Sequence, residues 1–180
     1  MDQPKPPITF PARMGFILGI LYCILIFIEN KGFSSNMLLF GATKSLGYLI
    51  ILGGLLYTAI QLKKRNGGFI TFQECLRGLL VTIAIMELFY VLFNFIYVKY
   101  MDPQFFAHLK ESTLDFLQKA NLSKEEIKNR MASFEGAGNM TVWSVIQSYG
   151  FAIIIDAVFA VIFASILKRN PPLTDNQKGF

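Results

Sequence analysis

Four long apolar stretches decide what this chain can fold into; they cover about residues 12–29, 40–62, 72–98 and 142–167. A bilayer hydrocarbon core is about 30 Å thick and takes roughly 20 apolar residues of helix to cross. Hydrocarbon supplies no hydrogen-bond partners, so a spanning segment must satisfy its own backbone, as a helix does. The expected fold is therefore all-α and membrane-embedded, with four transmembrane helices. Composition supports this: 53% of the residues are hydrophobic and 16% charged, where a soluble domain carries roughly 25% charge.

Residues 1–11, rich in proline, are expected to be an unstructured tail, followed by one membrane domain over 12–170 and a polar tail over 171–180. The first apolar stretch reads as an uncleaved helix, because it runs into Glu29-Asn30-Lys31 without a small-residue cleavage site. Bulky Tyr22 before Cys23 also argues against a lipoprotein anchor. Gly15 and Gly19 have the spacing that lets two membrane helices approach closely. In the second stretch Gly47 and Gly54 share a face, and Lys44 is expected to extend its ammonium to the headgroups. Lys63-Lys64-Arg65 and the turn Asn66-Gly67-Gly68 end that helix. Thr71 followed by Glu74 predicts a capping box opening the third.

Between the third and fourth spans, residues of about 102–135 predict an amphipathic helical hairpin. Asp102-Pro103 reads as cap and first turn of one helix, and Ser123 with Glu126 as the capping box of the next. Six basic and six acidic residues between Lys99 and Glu135 make the hairpin too polar to span. Its apolar faces are expected on the membrane interface, the helix ends or a partner. Trp143 and Tyr149 read as interfacial anchors of the last span.

Basic residues adjoin the spans at Lys63-Lys64-Arg65, at Lys168-Arg169 and before the first helix. Positive flanks favour the cytoplasm, which predicts both termini there. The net charge of +5 follows from these flanks, and no basic stripe is left to suggest nucleic acid. Cys23 and Cys75 lack motif-spaced partners, and His108 is the one histidine. Free thiols and no metal site are expected.

The stretch Arg65-Asn66-Gly67-Gly68-Phe69-Ile70-Thr71-Phe72-Gln73-Glu74, with Asn94-Phe95-Ile96-Tyr97 and Asp102-Pro103, resembles a bacterial membrane family, domain-of-unknown-function family 4199. The resemblance covers nearly the whole chain. It implies a multi-pass protein of the bacterial inner (cytoplasmic) membrane with four helices, and it supplies no activity or catalytic residue. Arg65, Asn66, Gly67, Gly68, Thr71 and Glu74 read physically as a cytoplasmic turn and helix cap.

Glu87 and Asp156 are the candidates for chemistry, because each falls near the middle of its span, where a charge costs about 2.5–3.5 kcal/mol on insertion scales. Tyr90, Asn94 and Tyr97 follow Glu87 on one side of the third helix. If the two helices face each other, the acids share a proton, which suits proton-coupled transport; otherwise they are polar contacts holding the bundle. No nucleophile elbow, phosphate loop or metal cluster appears, so neither enzyme activity nor a cofactor is expected. The leading expectation is a non-enzymatic scaffold or interaction protein working through its outer hairpin. The alternative is a small transporter or channel subunit, proton-coupled through Glu87 and Asp156. Expected partners are the lipid bilayer, a protein at the hairpin and further copies of the chain. The purified chain is expected to be monodisperse only in detergent, which size-exclusion chromatography with and without detergent checks.

Overall fold

The structure, a computed structural model, describes residues 9–33, 36–120, 122–134 and 141–170. These form helices α1 (Thr9–Phe33), α2 (Met37–Arg65), α3 (Phe72–Ile96), α4 (Phe105–Lys119), α5 (Lys124–Met131) and α6 (Val142–Leu167). Four of them, α1, α2, α3 with the turn that prolongs it, and α6, are long and apolar enough to cross a bilayer. The exposed surfaces agree. On α6, Phe151, Ile154, Val158 and Ile162 point outward while Asp156, Ala160 and Ala164 are buried one turn apart. Large apolar side chains outside and small or polar ones inside suit a helix whose solvent is lipid.

The spans alternate in direction. One end of the bundle gathers the start of α1, the end of α2, the start of α3 and the end of α6. There the Arg65 guanidinium lies 3.9 Å from the Phe10 ring centroid, and Ile70 and Arg169 exchange both backbone hydrogen bonds, at 3.0 and 2.9 Å. Both ends of the described chain therefore lie at this one end, beside Lys63, Lys64, Arg65, Lys168 and Arg169. Gly67 and Gly68 make the turn possible with φ of +67° and +87°, a region costly for residues with a Cβ.

Helix α3 is central and packs against α1, α2 and α6. Its contact with α1 depends on glycine. A Cβ at Gly15 would lie 2.7 Å from the Thr82 carbonyl oxygen, and one at Gly19 would lie 2.8 Å from Phe89 Cγ. Gly54 similarly accommodates Leu18, and Gly78 accommodates Leu62. Leu18, Ile51, Leu55, Ala59, Leu79, Ile83 and Met86 fill the core between these contacts.

Several helix ends differ from expectation. Helix α1 begins at Thr9, inside the tail expected to be unstructured, because Pro11 falls in the first turn, where its missing N–H has no helical partner to lose. Residues 1–8 and 171–180 lie outside the described residues. At its other end α1 continues through Glu29 and Asn30, which are buried instead of ending the helix. The Asn36 side chain caps α2 by accepting from the backbone N–H groups of Leu38 and Leu39. Past Ile96 the third span widens into a π turn, Tyr97–Met101. Helix α4 starts at Phe105, not at Pro103: Asp102 donates its N–H to the Tyr97 carbonyl, closing the π turn, and its carbonyl accepts from Phe105.

Two short helices stand where an outer hairpin was expected. Helix α4 buries Phe105 beside Phe40, Tyr97 and Val98, with Met37 packed alongside. Helix α5 meets α4 and buries none of its residues. The capping box of α5 forms, and the Ser123 hydroxyl and backbone N–H hold the Glu126 carboxyl below the usual carboxylate range. That cap is intact above the ordinary carboxylate pKa and is lost as acid protonates Glu126. Residues 135–140 lie outside the described residues.

Gly15→Leu should destabilise the bundle by about 1–3 kcal/mol, the usual cost of overpacking. Gly53→Leu should not, since a Cβ at Gly53 would have nothing within 4 Å of it. Thermal melts in detergent compare the two.

Candidate functional site

The carboxyl groups of Glu87 and Asp156 come together inside the bundle. Helix α3 turns Glu87 inward with Ile83, Met86 and Val91, and α6 turns Asp156 inward on its small-residue face with Ala160 and Ala164. Each acid is 2% exposed. Each also lies about halfway along its helix, fifteen residues past Phe72 and fourteen past Val142.

Helix α2 contributes a third group. The Tyr48 hydroxyl donates to Asp156 Oδ1 at 2.7 Å. The second oxygen, Oδ2, is buried without a hydrogen-bond partner, and the Asp156 carboxyl lies close to that of Glu87. An ionised carboxylate only accepts hydrogen bonds. Two ionised carboxylates in contact would also repel strongly in a medium of low dielectric. A hydrogen bond between this pair therefore requires a proton held on one of them.

Aromatic hydroxyls surround the acids. Tyr22 of α1 stacks on Tyr90 of α3, with ring centroids 4.6 Å apart and planes at 27°. Tyr90 lies three residues, about one turn, beyond Glu87 on α3. Tyr149 of α6 donates to the Ala84 carbonyl at 2.9 Å, fastening α6 to α3 one turn away. It thus acts inside the helix contact and not as an interfacial anchor, whereas Trp143 is exposed.

Among the residues singled out in the sequence, Glu87, Asp156 and Tyr90 are brought together. Asn94 is not: it lines a separate small cleft between α3 and α6 with Val91, Phe95, Ser144, Val145 and Ser148. Tyr97 joins the apolar cluster with Phe40 and Phe105. The turn motif lies at the end of the bundle, with Glu74 thirteen residues before Glu87, about 20 Å along the helix. There Thr71 and Glu74 form a complete capping box, with the Glu74 carboxylate accepting from the Thr71 N–H at 3.0 Å and hydroxyl at 2.8 Å. Asn66 caps the end of α2. Among the described residues no three His, Cys, Asp or Glu side chains gather.

Sequence reasoning missed Tyr48, Tyr22 and a second polar group at the opposite end of the bundle from the turn motif. In that group Lys44 Nζ lies 4.0 Å from Glu29 Oε2, and the Glu29 carboxyl packs against bare Gly47. Lys44 thus turns partly inward to a carboxylate, not solely outward to the headgroups. The available signal was spacing: Lys44 and Tyr48 stand one turn apart on α2, and Gly47 offers room beside them.

Four apolar spans enclosing two acids, one of them bonded by Tyr48, define a small multi-pass membrane protein. The chain belongs to the family described as Protein of unknown function (DUF4199), whose model matches residues 13–169. No curated protein and no solved structure matches it. The family match takes in all four spans, both acids and the Arg65 to Glu74 motif.

Tyr48→Phe removes the interhelical bond to Asp156 and should lower stability by about 0.6–2 kcal/mol, the range for such bonds in membranes. Denaturation in mixed detergent micelles reads the difference.

Proposed function

We propose that this protein binds and releases protons inside the membrane, as a proton-coupled transporter or channel subunit acting through Glu87 and Asp156. The observation that supports this most is the pairing of the two carboxyls, each 2% exposed, on facing helices. Ionisable groups in this position are costly to insert and characteristically mark ion or proton pathways. Structural cohesion alone needs no second acid, because hydroxyls and amides bond helices together without charge. Proton uptake would relieve the repulsion between the carboxyls, and proton loss would push α3 and α6 apart. That makes the helix contact the element a transported ion acts on.

The alternative of a scaffold working through its outer helices has less support. Helix α4 places Phe105 and Leu117 in the protein interior, so much of its apolar face is already covered by its own bundle. Four helices enclose little aqueous volume, which suits a subunit of an oligomer. The end bearing Lys63, Lys64, Arg65, Lys168 and Arg169 is proposed to face the cytoplasm of a bacterial inner membrane, with α4 and α5 as an outer hairpin. No catalytic residue is assigned, and the activity proposed is non-enzymatic.

The test is proton flux into proteoliposomes carrying an internal pH-sensitive dye. Glu87→Gln and Asp156→Asn preserve shape and hydrogen bonding and should each reduce flux roughly a hundredfold or more, the scale of a lost proton-transfer group. Flux that is absent from the wild type, or undiminished in both variants, would overturn the proposal. Thermal melts establish that the variants are folded.

A further inference from the structure

We infer that protons reach Glu87 and Asp156 from the end of the bundle that carries α4, by way of Glu29 and Tyr90, and that the opposite half is a dry plug. This rests on the proton-binding reading of the acid pair and adds its direction of access.

The two halves of the interior differ in chemistry. Between the acids and the end bearing Lys63, the core is Met86, Ile83, Leu79 and Cys75 of α3 against Ile51, Leu55 and Ala59 of α2, all 0% exposed. Thr58 and Thr82 are buried there too, but their hydroxyls donate to the backbone. Thr58 bonds the Gly54 carbonyl at 2.8 Å, and Thr82 bonds those of Pro11 and Gly78 at 3.0 and 3.1 Å. A hydroxyl committed to a carbonyl of its own or a neighbouring helix is poorly placed to pass a proton along.

Toward the α4 end the interior holds buried polar groups beside the apolar cluster of Phe40, Tyr97, Val98 and Phe105. Tyr90 lies one turn beyond Glu87 on α3 and stacks on Tyr22 of α1, with ring centroids 4.6 Å apart. Glu29 is buried at 6% exposure and lies seven residues beyond Tyr22 on α1, about 10 Å along the axis. Lys44 reaches the Glu29 carboxyl from α2, one turn beyond Tyr48. Lys44, near the start of α2, is itself 39% exposed by side chain. Next to Glu29, the amide nitrogen and oxygen of Asn30 are buried without protein partners, as is the Tyr97 hydroxyl. Buried polar atoms without protein partners are where internal water is held.

The groups facing the acid pair are thus Tyr22 from α1, Tyr48 from α2 and Tyr90 from α3, with Glu29 and Lys44 a further turn or more outward. Every titratable member of this set lies level with the acids or on the α4 side. A proton taken up by buried Glu29 beneath Lys44 passes inward through hydroxyls and held water to Glu87, whose proton is shared with Asp156. Lys44 stands beside Glu29 as its counter-charge between transfers.

Carbodiimide labelling tests this. Dicyclohexylcarbodiimide dissolves in bilayers and reacts with a protonated carboxyl: the acid proton goes to one carbodiimide nitrogen, the carboxyl oxygen bonds the central carbon, and rearrangement leaves a stable N-acylurea. Mass spectrometry of Glu87 and Asp156 peptides from proteoliposomes of one orientation then reports protonation as the pH is changed separately on each side. Labelling should follow the pH on the α4 side and ignore the pH on the Lys63 side. Glu29→Gln should slow the response to a pH jump roughly a hundredfold. The wild-type measurement needs no variant, so a folding defect in Glu29→Gln leaves the inference open to refutation. Labelling that follows the Lys63 side, or both sides equally, would overturn the access route and leave the acid site standing. No labelling of either acid at any pH would remove the proton site itself.

Discussion

Hydrocarbon offers a polar atom no partner, and every feature of this bundle follows from that constraint. Each span is a helix because no other backbone arrangement in an unpaired segment is self-sufficient. In the half toward Lys63 the buried hydroxyls of Thr58 and Thr82 donate to backbone carbonyls. At mid-depth the constraint is met differently: two acids answer each other, with Tyr48 taking one of the remaining oxygens. The same constraint that shapes the helices thus bears on the acid pair as well.

Close approach is what allows the acids to meet. Gly15 and Gly19 let α1 lie against α3, and Ala160 and Ala164 let α6 do the same from the other side. Without hydrophobic driving force between helices in lipid, small residues and polar bonds are the sources of cohesion left. Helix α3, packed on three sides, is therefore both the structural centre and the carrier of Glu87. The turn at Gly67 and Gly68, the Ile70 to Arg169 bridge and the Thr71 cap fasten one end of the bundle. The other end combines the cluster of Phe40, Tyr97, Val98 and Phe105 with the polar group around Glu29 and Lys44.

Much was legible beforehand because it is local. The spans are set by runs of apolar residues, and the Thr71 and Ser123 caps by residues three apart in sequence. Helix ends were less legible. Asp102-Pro103 carries the usual start signal, yet the π turn absorbs it by bonding Asp102 back to Tyr97. Glu29 and Asn30 look like a polar stop, yet they are enclosed because Gly47 leaves space on the next helix. In both cases a contact with a distant or irregular segment outweighed a sound local rule.

By itself the sequence determined that four helices cross a membrane, which residues lie at mid-depth, and that Glu87 and Asp156 need explaining. These depend on hydropathy and helical rise, which are properties of one segment at a time. Only the tertiary structure decided that the acids face each other, that Tyr48 bonds Asp156 and that Asn94 stands apart. The rotation of each helix about its axis decides those contacts. That rotation is set by packing glycine and alanine faces against particular neighbours, which a sequence of nearly uniform hydrophobicity does not encode locally.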